Sequence, residues 1–235
     1  MSTIKSAVQM FSQIQQANKT IYTYNTMIKA HLSNSNTNPH IALEIYVKMK
    51  RNGINCDNYT YPYVLKACKM IRGLWEGRQV HGEVVKVGFF DSDVFVINGL
   101  IGLYYKCEQM SCSRFLFDGF HGKDLVSWNL MLKGYAECRD IVKAQKLFDE
   151  MPQRDVISWS IMIDGYGKKL GLVTHARVVE MRKAVAVKGV VESGKSVIEV
   201  VGGGVEEFVS GRKGQVRGDD IEEVLWSLSK MVDLE

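Results

Sequence analysis

Features that define several common protein classes are missing from this sequence. None of its five cysteines forms a CxxC pair, so neither a zinc site nor a disulfide framework is indicated. No apolar run approaches the ~18 residues that indicate a membrane span, and the N-terminus lacks the apolar core of a signal peptide. We therefore expect reduced core thiols, no metal, no cofactor and no membrane partner.

Acidic residues are missing from the first part of the chain. No Asp or Glu precedes Glu44, as in organelle transit peptides, but Arg is absent there as well, so we predict no clear transit peptide in this chain. The net charge is +4, with about +6 on residues 1–169 and about −2 on residues 170–235. This mild positive balance permits a nucleic-acid partner without proving one.

What the sequence does have is an internal repeat. Two consecutive blocks of 31 residues, 94–124 and 125–155, align without gaps. The identities include Asn98 with Asn129, Tyr104 with Tyr135, Cys107 with Cys138, Leu116-Phe117-Asp118 with Leu147-Phe148-Asp149, and Asp124 with Asp155. Such units bury a continuous core only by stacking on their neighbours, which predicts a solenoid with a concave binding surface.

Each block contains two sets of apolar residues at helical spacing. In the second block these are Leu130, Leu132 and Tyr135, then Ile141, Ala144, Leu147, Phe148 and Met151. Pro152 ends the second helix because proline cannot continue it. The unit is therefore a helical hairpin.

The same pattern divides the whole chain into predicted units. They are a partial repeat at 1–20, repeat 1 at 21–57, repeat 2 (long) at 58–93, repeats 3 and 4 (short) at 94–124 and 125–155, a hybrid repeat at 156–190, and an extension at 191–235. In the extension, the β-branched run after Ser196 and the glycines at 202–204 predict a short hairpin. Residues 219–231 predict a closing amphipathic helix.

Several stretches, among them YNTMIKA, YTYPYVLKAC, FVINGLIGLYYKC and VSWNLMLKGYAE, resemble the plant pentatricopeptide repeat (PPR) family. The repeat lengths resemble its subclass of normal, long and short repeats, the PLS subclass. The sequence from His175 onward resembles the C-terminal E-type extension of that subclass, although the helix that normally begins the extension is missing here. The resemblance implies an all-α, right-handed α-solenoid with a short hairpin-plus-helix extension.

The resemblance also implies which residues read RNA. In that family the fifth and last residues of a repeat contact one base, and an Asn with Asp implies uridine. The matching pairs are Asn25 with Asp57, Asn98 with Asp124, and Asn129 with Asp155, while Ser160 opens a fifth position whose partner is lost. The second residues of the repeats, which would sandwich the bases, are Tyr22, Phe95, Val126 and Ile157.

Taken alone, these residues also have a simpler interpretation. Asn and Asp often cap helices or end turns, which needs no RNA. An Asn amide nevertheless offers both a donor and an acceptor to a base edge, and a nearby Asp can orient it. The fifth residue of the long repeat, Pro62, has no base-reading group, so that repeat is expected to be a spacer or a weak reader.

Two enzymatic motifs compete with this interpretation. GVVESGKS at residues 189–196 matches the phosphate-loop pattern, but it leads into a predicted strand rather than the helix that would face a phosphate, so we expect no nucleotide. His81 and Glu83 match half of the zinc deaminase signature, but the required P-C-x-x-C is absent from the chain. We predict a chain that is not an enzyme.

The tryptophans Trp75, Trp128, Trp159 and Trp226 are expected in the core.

The function predicted is sequence-selective binding of single-stranded organellar RNA. By resemblance, the chain would be a site-recognition factor for C-to-U RNA editing in a mitochondrion or, alternatively, a chloroplast. A deaminase or editing-complex protein would act in trans through residues 176–235. The alternatives are an RNA processing or stabilisation factor and a protein-binding scaffold without RNA specificity.

Overall fold

The computed structural model of the chain describes residues 20–33, 38–88 and 93–169. Within these ranges the regular secondary structure is entirely α-helical. The helices are α1 (Ile21–Ser33), α2 (Pro39–Arg51), α3 (Thr60–Ile71), α4 (Leu74–Val87), α5 (Val94–Lys106), α6 (Met110–Gly119), α7 (Leu125–Glu137), α8 (Ile141–Glu150) and α9 (Val156–Lys169). None of them is long and apolar enough to span a membrane.

The predictions for residues 1–19 and 170–235 lie outside the described residues. They concern the N-terminal partial repeat, the second half of the hybrid repeat, the phosphate-loop-like stretch at 189–196, the extension and Trp226. The repeat boundaries themselves stay predictions. Within the described residues, however, first helices (α1, α3, α5, α7, α9) alternate with second helices (α2, α4, α6, α8).

Local chemistry sets the ends of the helices. Asn38 caps α2 by accepting from the backbone N–H of His40, and Pro39 follows in the first turn, where its missing N–H costs nothing. Gly88 ends α4 with φ +83°, a left-handed conformation that suits glycine. The last helical residue of α8 is Glu150, two positions before Pro152, as predicted.

The chain forms two compact units, one ending at Met131 and the other beginning at Leu132, so the division falls within α7. In the first unit, α1 packs on α2 and α3, α3 packs on α4 and α5, and α5 packs on α6. In the second unit α8 packs on α9. Contacts between neighbouring hairpins are what a repeat fold requires.

An aromatic pair recurs in the cores of both units. In the first unit, Phe117 of α6 meets Trp128 of α7 edge to face, with ring centroids 4.9 Å apart. In the second unit, Phe148 of α8 meets Trp159 of α9 in the same arrangement at 4.9 Å. Each pair joins a second helix to the next first helix, so the sequence repeat is also a packing repeat.

Two core predictions are wrong. Trp75 is 71% exposed, because the buried face of α4 runs through Gly77, Val80 and Val84, and Trp75 lies outside that series. The five cysteines are free thiols as predicted, but only Cys68 is buried, whereas Cys138 is exposed. Cys138 lies beyond the last residue of α7, where the chain turns towards Arg139 with φ +60°.

The aromatic pair gives a stability test with a neighbouring control. We expect Phe117→Ala to lower the free energy of unfolding by about 3–5 kcal/mol, because it leaves a cavity beside Trp128. Phe115→Ala, in the same helix at a side chain that is 77% exposed, should change it by less than about 0.5 kcal/mol. Urea unfolding followed by circular dichroism measures both values. Equal effects of the two substitutions would contradict the assigned packing.

Candidate functional site

Predicted repeats 1 to 4 each end in an aspartate, and each aspartate accepts from backbone N–H groups at the start of the following first helix. We call Asp57, Asp93, Asp124 and Asp155 the closing aspartates. Asp57 accepts from the backbone N–H groups of Tyr59 and Thr60, at 3.1 and 2.8 Å. Asp93 caps α5, while Asp124 and Asp155 accept from the N–H groups three residues later, each at 2.8 Å. The capping interpretation is therefore correct for the aspartates.

The asparagines do something different. In repeat 1, the Asn25 side-chain amide donates to Asp57 Oδ1 at 3.1 Å. In repeat 3, the Asn98 amide donates to Asp124 Oδ1, also at 3.1 Å. The structure thus brings together the predicted partners 32 and 26 residues apart in sequence. Because a carboxylate only accepts, the nitrogen end of each amide must face the aspartate.

A hydroxyl group completes each of these pairs. Thr60 Oγ1 lies 2.8 Å from Asn25 Oδ1 and 2.7 Å from Asp57 Oδ1. Ser127 Oγ lies 2.7 Å from Asn98 Oδ1 and 2.8 Å from Asp124 Oδ1. The hydroxyl has a single proton for two acceptors, so it can hold the carbonyl end of the amide only in part. The nitrogen end of each amide is fixed by the carboxylate, and its carbonyl end faces the hydroxyl.

The same contacts keep Asp57 and Asp124 ionised. Burial acts to raise the pKa of Asp124, but hydrogen bonds from the Ser127 N–H, the Asn98 amide and the Ser127 hydroxyl outweigh it and lower the pKa below its usual value. At Asp57, burial again opposes hydrogen bonds from Thr60, Asn25 and Tyr59, and the net pKa is lowered. The carboxylates therefore remain acceptors at neutral pH.

Each fixed amide keeps part of its hydrogen-bonding capacity. Asn98 is 8% exposed, so most of the residue is buried. One amide N–H is donated to Asp124 and one lone pair of Oδ1 faces Ser127, which leaves one donor and one acceptor. An amide in this state can bind a ligand through one N–H and one oxygen in a set orientation.

Large apolar side chains stand exposed on the first helices. They are the second residues of the repeats, which we call the wall residues, and they are 55–75% exposed: Tyr22, Tyr59, Phe95, Val126 and Ile157. In the first unit, Tyr22, Asn25, Lys29, Asp57 and Tyr59 line one groove. An apolar wall with a polar floor is a site for a flat, hydrogen-bonding ring such as a nucleobase.

The remaining predicted residues are placed as follows. Asn129 lies at the matching position of α7 and is also 8% exposed, and Asp155 caps α9. In the second unit, Ser160 lines a groove with Ile157, Lys133 and Lys168. The Ser160 hydroxyl lies 2.7 Å from the Val156 carbonyl oxygen, to which it donates.

His81 and Glu83 contact two different neighbouring helices. His81 Nδ1 lies 2.8 Å from the hydroxyl of Tyr104 on α5. Glu83 instead accepts from the hydroxyl of Tyr46 on α2, at 2.7 Å, and pairs with Lys50. The two side chains thus bind different helices, and no group of metal-binding residues occurs within the described residues.

Three kinds of site residue were missed from the sequence. The hydroxyl residues Thr60, Ser127 and Ser158 each follow a closing aspartate by three positions, so a repeated D-x-x-[ST] pattern could have revealed them. Tyr59 is the second residue of repeat 2 and belongs with the wall residues. Lys29 and Lys133 each follow an asparagine by four positions, one helical turn along the same face.

A model of the PPR repeat family matches residues 19–70 and 123–168. These two segments are similar to PPR repeats. Pentatricopeptide repeat-containing protein At1g31920 of Arabidopsis thaliana is 38% identical over 102 residues, which are 43% of this chain and 16% of that protein. Arabidopsis At1g59720, named as chloroplastic/mitochondrial, is 39% identical over 118 residues, 50% of this chain and 18% of that protein. The chain spans less than a fifth of these PPR relatives.

Solved PPR structures share the fold. Maize PPR10 matches with a TM-score of 0.61 and 17% identity, over 98% of this chain and 36% of that chain. PPR10 in complex with an 18-nt psaJ RNA element matches with a TM-score of 0.60 and 19% identity, over 98% of this chain and 32% of that chain. The prediction of an all-α solenoid of helical hairpins is confirmed.

Proposed function

We propose that this chain binds single-stranded RNA and selects its sequence one base per repeat. The observation that carries the proposal is the Asn98 amide, which is held by Asp124 and Ser127. The second residues of its own repeat and of the next repeat, Phe95 and Val126, are exposed wall residues. The same arrangement recurs at Asn25. The RNA complex of PPR10, which has the same fold, supports this ligand class.

A fixed amide explains how such a site would choose between pyrimidines. Uracil presents an N–H flanked by carbonyl oxygens, whereas cytosine presents a ring nitrogen acceptor beside an amino group, so donors and acceptors are exchanged. An amide that could flip would accept either base. An amide whose nitrogen end is tied to a carboxylate favours one of them, and the family resemblance implies uridine.

The wall residues would supply affinity that does not depend on sequence. Stacking of a base on an aromatic side chain contributes about 1–3 kcal/mol, and every base has a face that can stack. Burying exposed apolar surface such as Tyr22, Tyr59 and Phe95 adds to this. Affinity and selectivity would then come from different residues, the second and the fifth of each repeat.

Lysines on the first helices would neutralise the RNA backbone. Lys29, Lys66 and Lys133 are exposed and follow the fifth residue of their repeats by four positions. No ion pair or hydrogen bond of their ammonium groups is recorded among the described residues, whereas Lys50, Arg114 and Lys143 on second helices pair with acidic side chains. In repeat 3 the same position is occupied by Gly102, which has no side chain. The ammonium nitrogen of Lys69 lies 3.6 Å from the point where a Cβ atom of residue 102 would be, so a lysine is close to this position as well.

The finer proposal concerns the biological task. By resemblance to the PLS subclass with an E-type extension, this chain would recognise sites of C-to-U editing and recruit a deaminase in trans through residues 176–235. The chain itself would perform no chemistry. A mitochondrial location is proposed, with the chloroplast as the alternative. The name of the Arabidopsis relative that includes both organelles is compatible with either.

The first test is base preference. Three reading repeats separated by the long repeat predict a U-x-U-U preference. At fixed moderate salt, the purified chain should bind U-x-U-U RNA at least about tenfold more tightly than the same RNA with the uridines changed to cytidine or adenosine. The double substitution Asn98→Ala and Asn129→Ala should reduce this preference to less than about threefold, measured by fluorescence anisotropy.

Gln153→Ala, which removes an exposed amide outside the helices, serves as the control and should leave the preference unchanged. Equal binding of all RNAs by the folded wild-type chain, or no binding, would exclude base reading by these asparagines. The scaffold alternative would then be favoured, because a protein-binding solenoid has no reason to prefer uridine.

The second test separates the backbone contacts from the base contacts. Lys29→Ala with Lys133→Ala should weaken binding of all RNAs equally and make the slope of log K against log salt shallower by about 0.7 for each lost phosphate contact. The uridine preference should persist. The matched pair Lys48→Ala with Lys146→Ala removes the same charge from exposed sites on second helices. Identical salt slopes for the two double variants would contradict the assignment.

A further inference from the structure

The long repeat lacks the usual base-reading residue but keeps the exposed aromatic side chains on which a base could stack. Its fifth residue is Pro62, which offers no hydrogen-bonding side chain. Yet its own wall residue Tyr59 and the next wall residue Phe95 are 67% and 70% exposed. A base facing this repeat would find aromatic side chains at both neighbouring wall positions. The repeat therefore keeps the stacking surface for a base while its usual reading residue is absent.

The closing aspartate of this repeat, Asp93, accepts a hydrogen bond from a different amide. Asn58, four positions before Pro62, donates from Nδ2 to Asp93 Oδ2 at 3.0 Å. This distance matches the 3.1 Å between Asn25 and Asp57 and between Asn98 and Asp124. Asp93 meanwhile caps α5 through its other oxygen, Oδ1, at 2.8 Å from the N–H of Phe95. The carboxylate thus performs the same two tasks as Asp57 and Asp124.

The surroundings leave the Asn58 amide with more free capacity than Asn98 has. The position of Thr60 and Ser127 is occupied by Val96, which has no hydroxyl group. Within the described part of the chain, Asn58 Oδ1 accepts no recorded hydrogen bond, and one N–H of its amide is not used. Asn58 is also partly exposed. Its carbonyl oxygen and second N–H can both meet a ligand.

We propose that Asn58, oriented by Asp93, is the base-contacting residue of the long repeat, so that this repeat reads a base instead of serving as a silent spacer. The proposal rests on the proposed RNA binding. Because Nδ2 is tied to a carboxylate as in Asn25 and Asn98, the favoured base is the same, uridine. Because no hydroxyl holds the carbonyl end, the preference is weaker than at Asn98, about threefold rather than tenfold.

The experiment varies the base that faces the long repeat. The full chain is titrated with U-N-U-U RNAs carrying U, C, A or G at N, and with matched RNAs carrying C in place of the U that faces Asn98. The wild type should bind N = U about threefold more tightly than N = C. Asn58→Ala should remove this difference and leave the preference at the Asn98 position intact. The control Asn55→Ala, an exposed asparagine outside the helices nearby, should change neither.

A second variant distinguishes contact with the base from a purely structural role of Asn58. Asn58→Ser retains a hydroxyl that can donate to Asp93 but presents no amide, so it should also lose the preference at N while its melting temperature stays near that of the wild type. If the wild type binds all four bases at N equally while preferring U at Asn98, the proposal is wrong and RNA reading stands. If either Asn58 variant keeps the preference at N, the proposal is also wrong. Loss of preference at both positions in the wild type would overturn the proposed function as well.

Discussion

The carboxylate that ends each repeat is the contact on which the site depends. Asp57 and Asp124 each accept from backbone N–H groups at the start of the helix that follows, and each holds the amide on the first helix of its own repeat. One side chain therefore fixes both the start of the following helix and the orientation of Asn25 or Asn98. Loss of such a carboxylate would remove about 1 kcal/mol of capping and also release the amide. The capping role and the reading role are not alternatives, since the first produces the second.

This coupling suits a repeat protein, in which each hairpin contacts chiefly its neighbours. The Phe117–Trp128 and Phe148–Trp159 pairs also repeat in the core. Each is an aromatic contact that joins a second helix to the next first helix. Packing sets the spacing of the hairpins and the aspartates set the orientation of the amides. The exposed wall residues and lysines then need only the correct register on the first helices to share a face.

Much of this was predictable from the sequence because the repeat places the same residue types at the same positions. The hairpins and the end of α8 before Pro152 follow from the repeat pattern, whereas the pairing of each Asn with its Asp is what the resemblance to the PPR family implies. The hydroxyl residues Thr60 and Ser127 were missed because a repeated Ser or Thr has many roles, and only the distances reveal this one. Asn58 is out of register with Asn25 and Asn98, so no alignment of repeats could identify it. Trp75 was misplaced because hydrophobicity alone does not tell which face of a helix is buried.

If the closing aspartate acts on RNA through the asparagine it holds, a double-mutant cycle will show the two residues to be coupled. The quantity is the ratio of affinities for RNA with U and with C facing repeat 3, measured for the wild type, Asn98→Ala, Asp124→Ala and the double variant, all checked for folding. We expect Asp124→Ala to lower the ratio towards one in the wild-type background and to change nothing further in the Asn98→Ala background. An unchanged ratio in Asp124→Ala, or the same fold-reduction in both backgrounds, would contradict this coupling.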